Sequence, residues 1–162
     1  MRIIFLIGLL TLLLESKAQE TTTFILIRHA EKAKDGTQDP NLSPEGKQRA
    51  EVLNKILERS DIASIYSTNF RRTQQTVFPL AQAKGITIQA YQQADLNWLQ
   101  KVAKENAGKI VLMVGHSNTI PEIANTLLRE KKFEQYPDDL YDQMLVIQYS
   151  EKIKPSVLIL TY

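Results

Sequence analysis

Apolar runs alternate with helix-patterned stretches along this chain, and that alternation limits the folds open to it. Phe24 to Ile27 is a first apolar run, and Ile62 to Ser67, Ile86 to Ala90 and Lys109 to Gly115 are three more. Each is short and reads as a strand, the last being the most buried by composition. Between the first two, Ser43 caps a helix with Pro44 in its first turn. Ala50, Leu53, Ile56 and Leu57 fall on one face of that helix. A second helix is expected from about Phe70 to Lys84, kinked or restarted at Pro79 and closed by Gly85. Asp95 to Asn106 and Thr119 to Arg129 give two more. The tail holds Met144 to Tyr149 and Ser156 to Leu160, read as two antiparallel edge strands. Strands alternating with helices imply an α/β, doubly wound three-layer sandwich with a mostly parallel sheet.

The 162 residues suit one domain and need no staple; the chain has no cysteine. Residues 1–18 are a different kind of sequence. Met1-Arg2 is a short positive start, Ile3 to Leu14 is almost wholly apolar, and Ser16 and Ala18 are small residues two apart. This is the layout of a secretory signal peptide, cleaved after Ala18. The apolar run falls short of the roughly 20 residues a spanning helix needs, so no stable membrane anchor is expected. The expectation is a periplasmic or secreted protein whose single domain is 19–162. The 20 basic and 18 acidic residues show no basic run, which argues against a nucleic-acid partner.

In open α/β sheets, ligands sit outside the carboxyl ends of the strands. The first strand ends in Arg28-His29, the second runs into "STNFRRTQQT", and the fourth ends in "GHSNT" with His116. Both histidines of the chain and a pair of arginines therefore converge on one edge of the sheet. Arginine's fork matches phosphate oxygens, and phosphoryl transfer is mostly positioning plus electrostatics.

These segments resemble the histidine phosphatase superfamily, the phosphoglycerate-mutase-like phosphatases. The resemblance runs through Arg28-His29-Ala30-Glu31, "LSPEG", "YSTNFRRTQQT" and "VGHSNT", in order along nearly the whole of 19–162. Alanine in place of glycine after the histidine, and the short length, fit the small, lid-less branch. The resemblance implies that His29 is the nucleophile and that Arg28, Arg72 and His116 hold the phosphoryl oxygens. Arg72 rather than Arg71 is implied by the following Thr73 and Thr76; Arg71 is read as solvated. No metal and no cofactor are expected.

The general acid stays open at this level. Asp95 lies in the loop after the third strand and is the first candidate, although it equally suits a helix cap. Glu31 is a second, and the absence of any acid a third. Glu122, three residues after Thr119, reads as half of a capping box. The substrate would be a phosphorylated small molecule or phosphoprotein. Phosphohistidine, envelope sugar phosphates, or no turnover at all in a phosphoanion-binding relative are the alternatives. A metal-binding reading is poor, since the arginines would repel a cation. The Glu31–Asn41 loop and the segment from Lys131 to Gln143 would shape specificity.

Overall fold

The computed structural model describes residues 21–162, so the expected signal peptide, residues 1–18, lies outside the described residues. Six strands form one sheet in the order β3-β2-β4-β1-β5-β6. The strands are β1 (Thr22–Arg28), β2 (Ile62–Thr68), β3 (Ile88–Tyr91), β4 (Ile110–Gly115), β5 (Gln143–Tyr149) and β6 (Ser156–Thr161). β1 to β4 run parallel, whereas β5 and β6 add antiparallel beyond β1. The helices are α1 (Pro44–Leu57), α2 (Arg71–Lys84), α3 (Leu96–Glu105) and α4 (Thr119–Leu128). The expected doubly wound sandwich is thus the fold.

The period of two along β1 divides the core. Phe24 and Leu26 join Val111 and Met113 under α3 and α4. Ile25 and Ile27 join Leu112 and Val114 under α1 and α2. A strand buried on both faces carries apolar residues at every position, so these runs show no alternation.

Local rules set the helix ends. Ser43 accepts the Gly46 N–H at 3.1 Å and caps α1, with Pro44 in the first turn. Gly85 closes α2 with φ of 65°, a left-handed conformation that suits glycine. α2 continues through Pro79 as one helix. Two readings are corrected. Ile56 is 49% exposed, because the buried stripe of α1 runs through Gly46, Ala50, Leu53 and Leu57. Thr119 is the first residue of α4 and not its cap; its hydroxyl accepts the His116 N–H at 2.8 Å, and no capping box with Glu122 forms.

Strand register places the site. β1 and β4 are neighbours, and Arg28 pairs with Gly115 at their carboxyl ends. His29 and His116 each follow one of those paired residues. The His29 N–H still bonds to the Gly115 carbonyl, at 2.9 Å.

Candidate active site

The two imidazole rings meet edge to face, with centroids 5.4 Å apart. His29 is buried, 4% exposed, and its Nδ1 lies 2.8 Å from the Ala30 carbonyl oxygen. A carbonyl only accepts, so Nδ1 carries the hydrogen and Nε2 keeps its lone pair. Burial lowers the His29 pKa to about 3, with the charges of Arg28 and Arg72 adding to it against the Ala30 bond. The ring is neutral at working pH. The Ala30 peptide is itself fixed: its N–H donates to Thr76 Oγ1 at 2.9 Å, and that hydroxyl donates to the Arg72 carbonyl at 2.7 Å.

His116 stands on the other side. Its Nε2 is 2.9 Å from Thr68 Oγ1, and its Nδ1 faces Arg72 Nη2 at 3.5 Å. A guanidinium only donates, which puts the His116 hydrogen on Nε2, toward Thr68. Burial lowers its pKa to about 4, with Arg72, Arg28 and Lys32 adding.

The two arginines are held differently. Arg28 is buried, and its Nη1 donates to three backbone carbonyls: Pro137 at 2.8 Å, Leu140 at 3.0 Å and Asp138 at 3.1 Å. Its guanidinium carbon sits 4.2 Å over the Tyr141 ring. Arg72 lies 4.5 Å over the Phe70 ring and 3.6 Å from Asp39 Oδ1. The Nε atoms of both arginines are buried with no hydrogen-bond partner. Orphaned charged donors of this kind are costly unless a ligand or water meets them. Arg71 is 67% exposed and pairs only loosely with Asp39 at 3.9 Å, matching its reading as solvated.

The candidate acids stand apart from this cluster. Asp95 is exposed and accepts the Trp98 N–H at 2.9 Å, capping α3. Among the described residues no hydrogen bond or ion pair links it to either histidine. Glu31 is engaged by Arg49 through both carboxylate oxygens, at 2.7 to 3.0 Å. Burial pushes its carboxyl up, but the Arg49 hydrogen bonds and charge outweigh that and hold it below the ordinary range. Its carboxylate is engaged by Arg49, which counts against it as a proton donor. Glu122 is exposed on α4.

Several site neighbours are absent from the expected set. Thr68 and Thr76 sit in the quoted "YSTNFRRTQQT", and Thr76 lies one helical turn after Arg72, the spacing that carries its hydroxyl to the Arg72 carbonyl. Asp39 and Tyr141 come from the polar loop and the late segment, where no local pattern marks them. Among the described residues no group of three or more His, Asp or Glu side chains could hold a metal ion. No helix there is long and apolar enough to cross a membrane.

The fold and this cluster define a class: an α/β protein with a cationic, donor-rich pocket at the carboxyl edge of its sheet, around a neutral buried histidine. The sequence profile of the histidine phosphatase superfamily (branch 1) matches residues 24–97. Phosphoserine phosphatase 1 of Hydrogenobacter thermophilus is 30% identical over 121 residues, 71% of this chain. The chain spans about half, 47%, of that relative's length. The protein histidine phosphatase SixA, solved with tungstate, superposes with a TM-score of 0.70 at 16% identity, covering 86% of this chain and 96% of its own. Phosphoserine phosphatase from Entamoeba histolytica, with 3-phosphoglyceric acid, gives 0.68 at 15% identity over 87% and 97%. Residues 24–97 thus match the histidine phosphatase superfamily (branch 1) in sequence, and the described chain shares the fold of the solved phosphatases.

Proposed function

We propose that this protein is a metal-independent phosphatase, secreted or periplasmic, that hydrolyses phosphate esters through a phosphohistidine on His29. The observation that carries the reading is the 2.8 Å bond between His29 Nδ1 and the Ala30 carbonyl. It leaves the Nε2 lone pair free in a ring that stays neutral among arginines. Nε2 forms the N–P bond as the P–O bond to the leaving group breaks. Water then attacks phosphorus, the P–N bond breaks, and inorganic phosphate leaves. Arg28, Arg72 and His116 hold the phosphoryl oxygens, and the orphaned Nε donors of both arginines give an oxyanion unspent hydrogen bonds. The relatives, a phosphoserine phosphatase and a protein histidine phosphatase, support a phosphomonoester or phosphoprotein substrate.

Asp95 is the carboxyl group proposed to protonate an alkoxide leaving group. One observation favours a second reading. With Glu31 locked to Arg49 and Asp95 exposed as a cap, the pocket suits leaving groups that need no proton, as in phosphohistidine or aryl phosphates. The export reading rests on residues 1–18 and is tested by intact mass of protein from its native cell; a mature protein beginning at Met1 overturns it.

The central test is a rapid quench into alkali with an aryl phosphate as donor. Wild type should yield acid-labile, base-stable phosphoprotein, and His29→Ala should yield neither phosphoprotein nor turnover. Turnover by His29→Ala, or a requirement for an added divalent ion, refutes the mechanism.

A further inference from the structure

Among the described residues Asp39 is the one carboxylate in an ion pair with any of the pocket's two arginines and two histidines, and its partner there is Arg72. Its Oδ1 does two things. It accepts the Arg71 N–H at 2.9 Å, and it lies 3.6 Å from Arg72 Nη1. The first contact is structural. Phe70 occupies the cap position of α2 and supplies no side-chain acceptor, so a residue from the loop before α1 caps α2 from across the pocket rim. The second contact is longer than a hydrogen bond, so it is a charge pairing that leaves the Arg72 donors uncommitted. Among the described residues no other carboxylate is in an ion pair with Arg72. Its Nη2 reaches only the His116 ring at 3.5 Å, and its Nε is buried and unpartnered.

We infer that Asp39 is a built-in anionic competitor for Arg72, a positioning residue that holds the empty guanidinium and weakens the pocket's grip on phosphate. The inference rests on the phosphatase reading of the site. A doubly charged phosphoryl group arriving at Arg72 shares it with a carboxylate, and like charges at that range repel even at a half-exposed site. Asp39 is 40% exposed on its side chain, so the repulsion is partly screened and amounts to a modest factor. For a hydrolase the consequence falls on product. Phosphate is released from a pocket whose other groups would retain it.

The test separates the cap from the charge. Asp39→Asn keeps an oxygen for the Arg71 N–H and removes the negative charge. Inorganic phosphate is titrated calorimetrically into the full chain. The Asn variant should bind phosphate three- to tenfold more tightly than wild type, with an unchanged melting temperature. Asp39→Glu should return the affinity toward wild type. A merely structural role predicts the opposite sign, since a loosened Arg72 binds less well. Equal or weaker binding by Asp39→Asn overturns the inference while leaving the phosphatase reading in place. Should the Asn variant not fold, Asp39→Ser, whose hydroxyl also accepts the N–H, makes the same comparison. Failure of wild type and variants alike to bind phosphate overturns the phosphatase reading, and this inference with it.

Discussion

His29 Nδ1 and the carbonyl oxygen of Ala30, the very next residue, are 2.8 Å apart, so the chain orients its own imidazole without help from a carboxylate. Two outcomes follow. By nitrogen-15 NMR, His29 should be neutral with hydrogen on Nδ1 from pH 8 down to pH 5. Stability should also fall on acidification. The folded His29 pKa, about 3, lies below the unfolded value of about 6.5, so the unfolded state takes up the proton first. The loss begins as pH drops through 6.5 and levels only near the folded value. Between pH 7 and 5 it amounts to about 2 kcal/mol for His29. Urea melts of wild type and His29→Gln at both pH values should show the smaller pH effect in the variant; identical effects would place the depressed pKa elsewhere.

Arg72 and Arg71 are adjacent and differ in role. Arg72→Ala should lower kcat/KM by roughly 2–4 kcal/mol of transition-state stabilisation, the scale of one lost oxyanion donor. Arg71→Ala, at a 67% exposed position, should stay within about threefold of wild type. Steady-state kinetics on one aryl phosphate decides this, and a reversal of the two effects would mean the second arginine was misassigned.

His116 presents a bare Nδ1 toward Arg72 and an Nε2 hydrogen toward Thr68. To donate to an incoming oxyanion through Nδ1, it must gain a proton. Phosphate binding should therefore raise its pKa from about 4, and affinity should increase as pH falls through the bound-state value. Calorimetry in buffers of different ionisation enthalpy should report proton uptake, and its disappearance in His116→Asn assigns it.

The general acid is settled by leaving groups. Asp95→Asn keeps the α3 cap and removes the proton, so it should slow alkyl phosphates far more than nitrophenyl phosphate. Asp95→Ala also loses the cap, at about 1 kcal/mol of stability. Equal effects on both substrates, or none, make Asp95 a cap alone.

Gly46 faces the backbone of Glu31 so closely that an added Cβ would overlap the Glu31 carbonyl, which already accepts the Ser43 N–H at 2.9 Å. Gly46→Ala should cost about 1–3 kcal/mol of stability by overpacking. It should also lower kcat, because the Glu31 backbone cannot retreat without shifting Ala30. Thermal unfolding and kinetics on the same preparation check both.

Much of this is legible in the sequence, and the reason is local. The strands at Phe24 and Ile110 are buried on both faces, so their sequences are apolar throughout, and Ser43, Pro44 and Gly85 mark helix ends by chemistry that needs no tertiary partner. His29 and His116 were legible because each follows a strand end. Asp39 and Tyr141 were not. Their meaning comes from Arg72 and Arg28, reached only after the chain folds back, and nothing within ten residues of either announces it. Thr119 misled because a threonine three before a glutamate is a good cap signal, yet its hydroxyl serves the His116 N–H instead. Ile56 misled because an apolar stripe can be one residue wider than the neighbour that covers it.

Arg28 leaves the end of the first strand and is gripped by the carbonyls of Pro137, Asp138 and Leu140, 109 to 112 residues later. During synthesis, both histidines and both arginines have emerged well before that grip is possible. Until that segment is made, Arg28 lacks its three carbonyl partners and β1 lacks its β5 neighbour. The pocket closes only when the segment before β5 arrives. A chain cut short before residue 137 loses the three carbonyls that hold Arg28 and also β5, the antiparallel neighbour of β1, so it should be silent toward phosphate.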